Sequence, residues 1–227
     1  MHLFKSFSVL TKFEKFLWIT SMIVIALSFI LAPAKDFLSL AASLIGVTAL
    51  IFVAKGMVMG QVLTVVFAVF YGIISFFFRY FGEMITYLFM TSPMAILAAI
   101  EWYKNPYKDT DEVKIREITS RHILTMLTLS IIVTDLFYLI LKSLNTANLF
   151  FSTISITTSF IASYLTYLRS PYYALAYVAN DIVLIILWVM ASISYIGYIP
   201  MIFCFVMFLF NDIYGFINWK KMKLRQG

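Results

Sequence analysis

Eight apolar runs, each long enough to cross a bilayer, divide this chain of 227 residues. A spanning helix needs roughly 17–25 predominantly apolar residues. The runs are Phe16–Ala32, Phe37–Ala54, Gln61–Phe78, Met84–Ile100, His122–Leu141, Leu149–Leu168, Ala174–Ser194 and Ile199–Asn218. They are continuous rather than alternating with period two, so the chain folds as helices and not as a barrel. Composition agrees. The chain is 63% hydrophobic and 12% charged, where a soluble domain is about 45–50% apolar and about 25% charged. A soluble domain and a disordered chain are both excluded. The expected fold is an all-α polytopic membrane protein with eight transmembrane helices, residues 1–227 forming one transmembrane domain.

The formal charge of +6 would raise the question of nucleic acid in a soluble protein. In a membrane protein it reports topology, because basic residues collect in cytoplasmic loops. With the N-terminus inside and eight spans, 14 of the 17 basic residues fall on the cytoplasmic side. Only Lys35, Arg79 and Lys142 fall outside. Seven spans would separate the two terminal basic clusters. The reading is therefore a multi-pass membrane protein with both termini cytoplasmic, membrane lipid around it and no nucleic-acid partner. The first run lacks a small-x-small cleavage site, so it is read as a span and not as a signal peptide. Tyr and Trp near span ends (Trp18, Trp102, Tyr103, Tyr172, Tyr173, Tyr198, Trp219) read as interfacial anchors.

Polar groups inside spans are costly and mark sites. Asp135 lies in the fifth span, Asn180-Asp181 in the seventh, Asn211-Asp212 and Asn218 in the eighth; Glu83 and Glu101 stand at span ends. No Lys or Arg lies deep in a span. Helical spacing puts Tyr177, Asn180/Asp181, Leu184 and Trp188 on one face of the seventh span. Phe208, Asn211, Tyr214/Gly215 and Asn218 share a face of the eighth. Ser155, Thr158/Ser159, Ser163 and Thr166/Tyr167 form a stripe on the sixth. These stripes either glue helices together or converge on a cavity of amides, hydroxyls and rings. Aromatic faces with uncompensated carboxylates suit a flat cationic or polar aromatic solute. Asp135, isolated, reads as an interhelical hydrogen-bonding residue.

The lone Cys204 makes no internal disulfide, and His2 and His122 form no metal cluster. No cofactor is implied. An intramembrane enzyme would need a nucleophile with a base, or a metal site, inside the spans. Neither is present in the pattern, so the chain reads as a non-enzyme. A transporter remains, with a non-transporting receptor or assembly subunit as the alternative.

Transporters are often built from repeats. Two self-alignments are available. One pairs Phe70-Tyr71-Gly72-Ile73 with Ile213-Tyr214-Gly215-Phe216 but relates spans that run in opposite directions. The other pairs spans 2–4 with spans 6–8 and aligns Ile100-Glu101-Trp102-Tyr103-Lys104 with Ile217-Asn218-Trp219-Lys220-Lys221. Parity favours the second. It gives an extra first helix (16–32), a first three-helix bundle (37–100), a linker helix (122–141) and a second, parallel three-helix bundle (149–218).

With these residues in view, the chain resembles the PnuC-type nicotinamide riboside transporters over roughly residues 40–220. Asn211-Asp212-Ile213-Tyr214-Gly215-Phe216-Ile217-Asn218-Trp219 looks like the family's C-terminal signature. Gly82-Glu83-Met84-Ile85-Thr86-Tyr87, followed by Pro93 and Trp102, looks like its central one. Ala54-Lys55-Gly56 and Asn180-Asp181-Ile182-Val183 are also similar. The resemblance implies a SWEET-like 3+1+3 bundle, often a homotrimer. It also implies downhill movement of a small-molecule vitamin, nicotinamide riboside, with alternating access and intracellular trapping by phosphorylation. Related members carry thiamine or riboflavin. Phe67 stands where the family usually has Asn, four residues before Tyr71. Tyr172, Tyr173 and Tyr177 stand where it has a Trp-rich entrance. The substrate-binding candidates are Tyr71, Tyr177, Asn180, Asp181, Trp188, Asn211, Asp212 and Tyr214.

Overall fold

A computed structural model describes residues 7–33, 36–77 and 81–227, the side chains of residues 74 and 77 excepted. Lys5, Lys35 and Arg79, used in the charge argument, lie outside the described residues. All eight predicted spans are helices: α1 (Lys12–Leu31), α2 (Phe37–Ala54), α3 (Val58–Phe77), α4 (Phe81–Tyr103), α5 (Ser120–Ser143), α6 (Leu149–Tyr167), α7 (Tyr172–Ser194) and α8 (Ile199–Gln226).

Local chemistry sets their ends. Thr11 opens α1 with a capping box, its hydroxyl taking the Glu14 N–H at 3.3 Å while Glu14 takes the Thr11 N–H at 2.6 Å. Asp36 caps α2 through the Ser39 N–H at 3.0 Å. At the end of α2, the Gly56 N–H reaches the Val53 carbonyl and the Met57 N–H reaches Phe52, with Gly56 at φ +68°. This is the reciprocal pair of bonds that closes a helix on a left-handed residue. The end of α6 repeats it. There the Arg169 N–H reaches Thr166 and the Ser170 N–H reaches Leu165, with Arg169 at φ +57°.

Within α4, Tyr87–Thr91 forms a π-helical turn, and the Ser92 N–H reaches back to the Tyr87 carbonyl. Pro93 follows and has no N–H to continue the regular ladder. The wider turn re-aims Tyr87 and Thr91.

The helices pack in two groups. α3 lies between α2 and α4, and α7 lies between α6 and α8. The groups meet through α8 on α2 and α6 on α4; α1 rests on α2 and α8, and α5 packs chiefly on α6.

One end of the bundle gathers the basic segments predicted to share a side. The turn after α2, the 104–119 loop, the turn after α6 and the end of α8 touch one another. The Val113 N–H reaches the Gly56 carbonyl at 2.8 Å and the Arg116 N–H reaches Arg169 at 3.2 Å. Gln226 binds both Ile115 and Val113, and Arg225 pairs with Glu112.

Two readings are corrected. Trp102, Tyr173 and Trp219 are buried in the core and do not anchor in the interface. The positions of Trp102 and Trp219 near helix ends place their indole N–H groups against the Thr166 and Val53 carbonyls of neighbouring helix ends, which need donors, and Tyr173 packs on the Trp219 ring. Tyr103 and Tyr172 are exposed. Asp135 faces outward from α5, and it is its neighbour Thr134 that makes the interhelical bond, to Thr157 at 2.8 Å.

Candidate functional site

A cavity of about 80 Å³ lies between the two helix groups. All six helices of those groups line it; α1 and α5 contribute no lining residue. α3 supplies Gln61, Thr64 and Phe67, and α4 supplies Tyr87 and Thr91. Across from them are Ser159 and Thr166 of α6 and Tyr177, Asn180, Asp181 and Leu184 of α7. Phe205, Phe208 and Asp212 of α8 close one wall, and Gly46 of α2 leaves room for the Phe208 ring.

The polar wall is held by interhelical bonds. Thr158 donates to Asn180 Oδ1 at 2.9 Å, and the Tyr177 and Ser163 hydroxyls are 3.1 Å apart. Asp181 and Asp212 are both buried and within hydrogen-bonding reach of each other. No donor reaches Asp181 Oδ2. Also lining the cavity, the Phe67 ring lies 5.6 Å from Tyr71, 5.7 Å from Tyr87 and 6.2 Å from Phe208. The cavity therefore brings carboxyl and amide groups together with aromatic rings.

The structure brings four of the eight candidates to the cavity: Tyr177, Asn180, Asp181 and Asp212. Tyr71 stands behind them, buried, 4.7 Å from the Tyr87 ring and close to Glu83. Trp188 packs away from it, 5.5 Å from Tyr198. Asn211 turns toward α1, donating to Ser21 at 3.0 Å and to the Met207 carbonyl at 2.8 Å. Tyr214 donates to Glu14 at 2.5 Å, and Glu14 is paired with Lys55 at 3.4 Å. These last two tie α1 to the two groups. Gln61, Thr64, Tyr87 and Thr91 line the cavity without having been singled out. Gln61 carried a signal: it is an amide at the head of an apolar run and is buried.

Among the described residues no group of His, Cys, Asp and Glu is placed to hold a metal ion. The lining offers rings, amides, hydroxyls and two acids. It has no nucleophile paired with a base.

A multi-pass helical protein with a polar, ring-walled cavity between two packed helix groups is built as a membrane carrier of small solutes. The nicotinamide mononucleotide transporter family model matches residues 36–221, and the chain belongs to that PnuC-type family. It is 26% identical to the nicotinamide riboside transporter PnuC of Neisseria mucosa over 223 residues, covering 96% of this chain and 84% of the relative. It is 21% identical to the PnuC of Haemophilus influenzae over 210 residues, covering 92% and 90%. The crystal structure of the vitamin B3 transporter PnuC superposes with a TM-score of 0.81 at 26% identity. That match covers 96% of this chain and 94% of the other.

Proposed function

We propose that this protein carries nicotinamide riboside across the bacterial inner membrane, with both termini in the cytoplasm. The observation that carries the reading is that Asp181 and Asp212 line one cavity together with the rings of Phe67, Tyr87 and Phe208. The riboside joins a flat pyridinium cation to a sugar. The rings face the pyridinium by stacking and cation–π attraction. Asn180 and the hydroxyls of Tyr177 and Thr91 bind the sugar hydroxyls. The names of the relatives support the same substrate.

Movement is downhill. The two helix groups, read as a 3+1+3 pair of parallel bundles with α5 as linker, rock about the cavity and open it to each side in turn. Phosphorylation inside the cell then traps the product. The matching turns after α2 and α6 support the repeat. A homotrimer, implied by the resemblance, covers the outer face of α5, where Asp135 stands among the exposed Ile131, Leu136 and Leu139.

Phe67 favours one second reading. A ring in place of the family's amide enlarges the apolar wall, which suits thiamine, also a cationic ring. Uptake of labelled nicotinamide riboside into proteoliposomes decides between them: saturable riboside uptake is expected. Saturable thiamine uptake without riboside uptake overturns the assignment. Ligand binding without movement of either solute would make the protein a receptor.

A further inference from the structure

Asp181 and Asp212 come from different helices, yet their carboxyl groups meet inside the cavity. Both residues are buried, at 3% exposure each. Two carboxylates in contact inside a membrane cannot both remain ionised without a cation between them. A hydrogen bond from one carboxyl to another also requires a proton, because an ionised carboxylate only accepts. Asp181 Oδ2 has no donor from the protein. The pair is thus short of positive charge in the empty cavity.

The surroundings supply none. Tyr173 and Tyr177 on α7, Tyr87 on α4 and Cys204 on α8 are the titratable side chains that interact with the pair. Glu83 on α4 interacts with Tyr87 and with Tyr71 on α3. The cavity faces of α2, α3 and α6 present Ala49, Val53, Gln61, Thr64, Ser159 and Thr166, none of which ionises. Lys55 at the end of α2 is engaged by Glu14. Among the described residues no Lys, Arg or His bears on either acid.

From this geometry we infer that the empty site holds one proton shared between Asp181 and Asp212, and that a cationic solute displaces it. The solute brings one positive charge, one proton leaves through the cavity to water, and the site keeps the same net charge empty or loaded. A neutral solute of the same shape has no charge with which to displace the proton. The cavity therefore discriminates by charge and not only by ring shape. The inference rests on the carrier's substrate being a cation.

The sign follows from linkage. Proton and cation compete for the pair, so apparent affinity for the cation rises with pH, approaching tenfold per pH unit while the proton is fully held. Infrared difference spectroscopy of the purified protein tests the first half. A protonated carboxyl C=O band is expected in the empty protein at neutral pH, absent in Asp181→Asn and in Asp212→Asn. Calorimetry of wild-type protein with nicotinamide riboside, in two buffers of different ionisation enthalpy, tests the second and needs no variant. Release of close to one proton per riboside is expected, and none for its uncharged dihydro form. No band in the empty protein, or riboside binding without proton release, overturns the inference. A band with no riboside binding instead overturns the substrate assignment and leaves the shared proton standing.

Discussion

The indole rings of Trp102 and Trp219 lie 5.2 Å apart at the centre of one end of the bundle, and each ties down the end of a helix in the other half of the chain. Trp219, from α8, donates to the Val53 carbonyl near the end of α2, and Trp102, from α4, donates to Thr166 near the end of α6, both at 2.9 Å. Val53 and Thr166 are equivalent carbonyls in the two matching turns, for each also accepts the N–H of the left-handed residue that follows, Gly56 or Arg169. The exchange is reciprocal. It supports the alignment of spans 2–4 with spans 6–8.

Trp102→Phe and Trp219→Phe keep a ring and remove one donor from a buried carbonyl. Each is expected to cost about 1–2 kcal/mol, seen as a lower melting temperature in detergent, with insertion retained. Because the rings touch, the double variant departs from additivity by about 0.5–1.5 kcal/mol. Strict additivity would mean that the two halves are not coupled through this contact.

Asn180 and Asn211 read alike in the sequence but do different work. Asn180→Ala removes an amide that lines the cavity. It is expected to cut solute uptake at least about tenfold, the loss of one good polar contact, and also to lower stability by about 1 kcal/mol, because the interhelical bond from Thr158 is lost. Asn211→Ala breaks the bond to Ser21 that joins α8 to α1. It is expected to lower stability by about 1–2 kcal/mol while the surviving folded protein keeps its affinity. The opposite pattern, affinity lost at Asn211 alone, would place the site on the α1 side of α8.

The same pair shows how far the sequence was legible. The number and rough bounds of the helices follow from apolar length alone, because the bilayer imposes it. The identity of the site face did not follow on α8. Asn211 and Asp212 are adjacent and so point about 100° apart on a helix. α8 is packed by α1, α2 and α7, and its exposed outer face, with Phe203, Phe210, Ile213 and Ile217, is apolar as well, so hydrophobicity does not mark its cavity side. On α7 both Asn180 and Asp181 reach the cavity, and the stripe reading there placed them together. Tyr87 and Thr91 were hidden by the π turn, which shifts the facing of a helix without a pattern of its own. Trp102, Tyr173 and Trp219 read as interfacial in the sequence because chain position near a span end does not report tertiary burial.

Gly56 and Gly60 differ in what a side chain would meet. At Gly56 a Cβ would approach the flexible end of Met222, 2.6 Å away, and the backbone is left-handed. Gly56→Ala is therefore expected to cost about 1–2 kcal/mol, with a folded protein. At Gly60 a Cβ would lie 2.4 Å from the Val53 backbone nitrogen. That requires α2 and α3 to separate, so Gly60→Ala is expected to abolish recovery of folded protein. Size-exclusion profiles and melting curves of the two variants make the comparison, and equal behaviour would contradict the close approach of the two helices.

Phe67 lines the cavity that holds the two acids, and its ring contacts Tyr71, Tyr87 and Phe208. Phe67→Leu keeps an apolar side chain of similar reach and removes the π face. A desolvated cation–π contact contributes up to about 2 kcal/mol, so the KM for a cationic ring is expected to rise about three- to thirtyfold. The uncharged dihydro form of the riboside should be affected far less, because its ring keeps its apolar contacts and has no charge for the π face to attract. Competition assays in proteoliposomes, with the two forms against labelled substrate, give the ratio directly. An equal loss for both forms would mean that the wall acts through shape alone, and that the charge preference resides wholly in Asp181 and Asp212.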